Sequence, residues 1–148
     1  MPASHPFNPL ALLRLLLAQG LERGPAGSVG RWAAEQAFRR IWQTGMEAGD
    51  EAALMALAEA LRPEDPQALV TRARSDDVKA LLRANTVTAT AHGIFGVPAW
   101  EIDGRLFWGF DALPMVTAYL KGDDWFAAGN AWDTAVAVPV GVTRGTGK

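Results

Sequence analysis

Cysteine is absent from the 148 residues. The chain therefore forms no disulfide, no thiolate zinc site and no Cys-x-x-Cys redox centre. Lysine is scarce, with arginine outnumbering it eleven to three. The 14 basic and 16 acidic residues leave a net charge of −2, which disfavours nonspecific nucleic-acid binding, since that needs a basic face. Long apolar runs are missing too. The densest, Leu10 to Ala18, has nine residues and contains Arg14, whereas a membrane span needs about 20. No Lys or Arg precedes that run, as a signal peptide would require. The expected location is the cytoplasm.

What is present is ordinary globular composition: 49% apolar and 20% charged residues. That length suits one domain of roughly 100–200 residues, large enough to bury a core without staples. The first two-thirds read as helix. Residues 10–19 are apolar nearly all round, so this helix must be covered on several sides; Pro9 opens it and Gly20 is the expected stop. A glycine-rich loop covers 21–30, with Ser28 as the expected cap of a helix reaching about Met46. There Ala34, Ala37, Phe38 and Ile41 share one face, and Arg31, Glu35 and Arg39 line another at spacing four. Asp50 caps a helix whose Leu54, Leu57, Ala58 and Leu61 form an i, i+3, i+4, i+7 stripe. Asp65-Pro66 opens a short helix, and Ser75-Asp76-Asp77 starts one over 76–91 with two acids at the positive end of its dipole. Its second half is small and β-branched (Thr86 to Ala91). That suggests close approach to another backbone, with strand as the alternative reading.

At Gly93 the period changes. Ala99–Ile102 and Arg105–Trp108 read as strands, joined by Asp103-Gly104. Asp-Gly between apolar runs is a strong hairpin signal, because a type I′ turn needs positive φ at both central residues. Asp111 is the expected cap of a last helix, which Gly122 stops. Trp125, Phe126 and Trp132 imply that part of the tail lies on the body, while the final residues fray. The expected segments are 1–92, helical; 93–122, hairpin and helix; and 123–148, tail. A two-stranded hairpin is marginal in water and wants a third strand, for which nothing upstream is a good candidate.

Few residues carry chemistry. On spacing alone, Gly96-Val97-Pro98 reads as a trans proline opening an edge strand. Gly109-Phe110-Asp111 is a strand-to-helix turn whose N–H groups could meet an anion, while Asp111 suits an ammonium group. His92 reads as a partner of the helix dipole, and Asn8 as a turn or helix-start residue. No metal site is expected.

The segment GIFGVPAWEIDGRLFWGFDAL (93–113) resembles the C-terminal signature of 2-hydroxychromene-2-carboxylate isomerases. These glutathione-dependent enzymes belong to the kappa-class glutathione transferase and DsbA-like branch of the thioredoxin superfamily. HPFNPLALLRLLLA, FRRIWQTGMEAGD and FAAGNAWDTAVAVPVG extend the resemblance over nearly the whole chain. It implies an α/β fold: the C-terminal part of a DsbA-like thioredoxin fold with its helical insertion subdomain. It also implies a cis Pro98, with Val97 pairing by backbone with the cysteinyl part of glutathione and Phe110 and Asp111 holding the γ-glutamyl end. His5 and Asn8 fall where the family places substrate-pocket residues. Two positions depart from the pattern. Ala112 replaces the usual arginine, and Phe110 stands where small or polar residues are common. The family's opening strands, first helix and sulfur-facing serine have no counterpart, so no nucleophile is assigned, and an N-terminally truncated member is the expectation. A disulfide oxidoreductase is excluded for want of a thiol. The implied activity is glutathione-dependent isomerisation of 2-hydroxychromene-2-carboxylate, in aromatic catabolism, or a related transfer. The alternative is an inert binding module of the same fold. The expected partner is a small aromatic substrate, with homodimerisation left open and no nucleic acid or membrane.

Overall fold

A computed structural model describes residues 2, 4–24, 28–62, 64–127 and 132. Its contacts cluster into two units, Met1–Thr88 and Ala89–Lys148. The final residues expected to fray lie outside the described residues.

The first unit is helical. Helix α1 spans Leu10–Arg23, α2 Arg31–Phe38, α3 Glu51–Leu61, α4 Pro66–Ala73 and α5 Asp76–Ala91. The chain leaves α2 through a wider π-helical turn, Arg39–Gln43. Asp50 and Asp65 cap α3 and α4, accepting from the N–H groups of Ala53 (3.2 Å) and Ala68 (2.9 Å), which supplies partners to donors a helix start leaves orphaned. The all-round apolar α1 is covered as its composition demands, packing on α2, α3 and α4. Leu15, Ala18, Leu57, Ala58 and Leu69 of this core are almost wholly inaccessible.

Two expected boundaries are corrected. Helix α1 does not stop at Gly20 but runs through it to Arg23, with Gly20 buried in its interior. Burial on α1's packed side outweighs glycine's weak helix propensity, a cost of roughly 1 kcal/mol. The second helix starts at Arg31 with Gly30 as its N-cap and no side-chain cap bond, so Ser28 is not the cap. The Arg31–Glu35 pair at 2.7 Å supports that first turn instead. The α5 span agrees with its acid-led start, and its small-residue half is helix rather than strand. Arg83–Thr88 are nonetheless exposed, and Val87 is 63% accessible.

In the second unit β1 (Ala99–Ile102) pairs antiparallel with β2 (Arg105–Trp108), Ile102 opposite Arg105 and Ala99 opposite Trp108. Asp103 (φ 51°) and Gly104 (φ 73°) make the turn, as the Asp-Gly pair predicts. A 3-10 turn, Phe110–Ala112, leads into α6, Leu113–Leu120. Gly122 follows with φ 75°. One hairpin face packs on α6: Phe107, Val116 and Phe126 are buried, with Trp100, Ile102, Tyr119 and Trp132 against them. The aromatic tail residues thus lie on the body. Among the described residues the sheet has two strands, and no helix is long and apolar enough to cross a membrane.

Candidate functional site

The antiparallel register places the Gly96–Pro98 turn beside the Gly109–Asp111 turn. The Gly109 N–H donates to the Pro98 carbonyl at 2.9 Å, so the pairing of β1 and β2 extends one residue beyond the strands. The Val97–Pro98 peptide is cis. Val97 is 87% and Phe110 76% accessible, and Asp111 is exposed. These four residues therefore share one solvent-facing end of the hairpin.

Gly109 has φ 94°, a region glycine enters without steric cost. A Cβ there would also collide with the Asp111 carboxylate, so that side chain lies folded back over the glycine. Asp111 does not cap α6. It lies inside the 3-10 turn, whose N-cap Gly109 makes no side-chain bond, and α6 likewise starts without one. Asp111 sits two residues ahead of Leu113, and its carboxylate is turned back over Gly109 rather than along the α6 axis. Among the described residues no backbone partner is found for the Phe110 and Asp111 N–H groups or for either backbone group of Val97. The end of the hairpin thus offers free main-chain donors and acceptors beside one exposed carboxylate.

Three neighbours were not legible as site residues. The Phe95 and Trp108 rings meet at a tilt of 47° with centroids 5.1 Å apart. The Trp108 indole lies along Gly96, where a Cβ would be 2.5 Å from Nε1. His92 does more than end a helix: its Nδ1 lies 2.8 Å from Glu101 Oε2, tying the end of α5 to the hairpin. A glycine spaced two before a proline and a tryptophan ending a strand are the only sequence signals for the first arrangement.

His5 and Asn8 belong to the first unit. The His5 ring meets Phe7 (6.0 Å) and Trp42 (5.7 Å) edge-on, and the His5–Pro6 peptide is cis. Asn8 Oδ1 accepts from the Leu10 N–H at 3.0 Å, the helix-start role such a residue commonly takes. Ser4 donates to Glu47. No serine or cysteine occurs after Ser75, so the second unit contains neither nucleophile type.

Residues 2–121 match the model of the DSBA-like thioredoxin domain, and the chain belongs to that family. Among characterised proteins it is similar to 2-hydroxychromene-2-carboxylate isomerase of Sphingobium xenophagum, 33% identical over 84 residues, covering 57% of this chain and 43% of that enzyme. It is also similar to human glutathione S-transferase kappa 1, 26% identical over 122 residues, 78% of this chain and 52% of that protein. The chain thus spans about half the length of these relatives. No solved structure gives a significant match.

Proposed function

We propose that the paired turns Val97–Pro98 and Gly109–Asp111 hold glutathione, and that the chain serves a glutathione-dependent isomerase of the 2-hydroxychromene-2-carboxylate type or a closely related transferase. The observation that carries this reading is the Gly109-to-Pro98 hydrogen bond. It sets a main chain with unused N–H and C=O groups against a turn with unused N–H groups and a carboxylate. A γ-glutamyl tripeptide has the matching chemistry: peptide groups to pair with Val97, a carboxylate to accept from Phe110 and Asp111 N–H groups, and an ammonium to face the Asp111 side chain. Bound glutathione would supply a thiol nucleophile for reversible addition to an electron-poor carbon. The residues of this chain bind and orient it, and His5 and Asn8 are the proposed substrate contacts.

Calorimetric titration of the full chain with glutathione tests this. Binding should be measurable, and Asp111→Ala should weaken it about tenfold or more, as loss of a charge-assisted hydrogen bond worth roughly 1.5–3 kcal/mol implies. Equal affinity in both proteins would remove Asp111 from the site, and absence of binding would remove the reading.

A second reading, a non-catalytic binding module, is favoured by the lack of any serine or cysteine in the second unit. The two separate on turnover of 2-hydroxychromene-2-carboxylate with glutathione by the purified chain, which only the enzyme reading expects.

A further inference from the structure

The segment that carries Val97 runs from the end of α5 to the start of β1. None of residues 93–98 is buried, and backbone with few buried apolar contacts opens most readily. Main-chain bonds fix its two ends. At the α5 end Gly93 takes φ 77°. Its N–H donates to the Thr90 carbonyl and the Ile94 N–H to the Ala89 carbonyl, both at 3.0 Å, the pair of bonds that closes a helix on a left-handed glycine. At the β1 end the Pro98 carbonyl accepts from the Gly109 N–H.

One side-chain contact spans the whole segment. His92 directly follows α5 and Glu101 lies within β1, nine positions on, yet Nδ1 of the first is 2.8 Å from Oε2 of the second. The two side chains are 50% and 39% accessible, and a pair so exposed adds little to overall stability. Its effect is local: it fixes the distance between the two residues it joins, and Val97 lies between them. The last turn of α5 carries no basic residue, and β2 sets Leu106 opposite Glu101. Among the described residues the ion pair of each is therefore with the other. An imidazolium also suits the carbonyl end of a helix.

We propose that His92 and Glu101 are positioning residues, whose bond holds the 93–98 segment in the shape that presents the Val97 backbone to glutathione. This role rests on the glutathione reading of the same turn. Neither side chain has to touch the ligand. The bond acts before binding, by removing freedom that the ligand would otherwise have to restrict. It is strongest while the imidazole is protonated, since a charge-assisted hydrogen bond is stronger than a neutral one. Affinity should therefore fall as pH rises through the imidazole titration.

Calorimetric titration of the full chain with glutathione tests this between about pH 5.5 and 7.5, where imidazole titrates and the tripeptide keeps its charges. His92→Gln and Glu101→Gln should each weaken binding about two- to fivefold at the acid end, the scale that an exposed pair supports. The double variant should match either single one, because all three lose the same bond. Both single variants should also lose the pH step; His5 remains in each, so a step that survives belongs to His5 and overturns the role. His92→Lys keeps a cation across the range and should restore affinity at both ends of it. A second readout needs no ligand. The Gly109 amide, bonded to Pro98, should exchange its hydrogen faster in both Gln variants, while the Leu57 amide in α3 should not change. Unchanged affinity, unchanged Gly109 exchange or an additive double variant each overturns the proposal. If the wild-type chain takes up no glutathione, the glutathione reading fails, and Gly109 exchange alone then decides whether the bond holds the turn. Circular dichroism of each variant separates a loosened turn from loss of fold.

Discussion

At Gly96 a hydrogen replaces a side chain because the Trp108 indole already occupies the space. Gly96→Ala should displace that ring and cost about 1–3 kcal/mol, the usual penalty of overpacking; the shifted Trp108 indole N–H resonance and a lower melting temperature would register it. Asp103 combines two roles. It accepts the positive φ of the hairpin turn, and its carboxylate accepts from the Tyr119 hydroxyl at 2.8 Å. That hydrogen bond, with burial and the nearby negative charge, holds the Tyr119 phenol above its ordinary pKa. A raised folded-state value means that the contribution to stability is complete below the unfolded pKa and is lost as pH rises through the folded one. Tyr119 is the only tyrosine, so absorbance titration reads it without ambiguity. Asp103→Asn tolerates the same turn and should move the phenol back toward its usual range; an unchanged titration would dissociate the shift from Asp103.

Elements differ in how far their own residues specify them. Helices α3 and α4 are announced by Asp50 and Asp65, and the observed cap bonds justify the announcement. Asp50→Ala should cost about 1 kcal/mol in chemical denaturation, as loss of an N-cap does. Helix α5 is less uniform. Val78 near its start is fully buried, whereas Thr86 bonds its hydroxyl back to the Leu82 carbonyl at 3.0 Å and the surrounding turns are exposed. Hydrogen exchange should therefore be faster over residues 84–91 than over 78–83, because exposed backbone bonds with few apolar contacts open most readily. The reading of small side chains as a sign of close packing finds no counterpart among the described contacts of that half.

Across the whole molecule, the described residues form two apolar clusters with no residue in common, one around Leu57 and Leu69 and one around Phe107. Leu57→Ala should cost about 2–5 kcal/mol and Phe107→Ala about 3–5. With no shared partner, the double variant should equal their sum within roughly 0.5 kcal/mol; a larger discrepancy would reveal coupling between the cores. Family membership was readable from the linear order of residues 93–113, and so were the helical stripes, the aspartate caps and the Asp-Gly hairpin. Each of these depends on groups only a few positions apart, whose geometry the backbone itself imposes. Gly20 misled because packing on α1 overrode local preference, and Ser28 because α2 starts two residues later, at Arg31 behind Gly30. The place of Asp111 ahead of α6, the indole against Gly96 and the His92–Glu101 pair came from folding alone. They depend on how the hairpin, its flanking turns and the end of α5 meet in space, and no spacing along the chain encodes such a meeting.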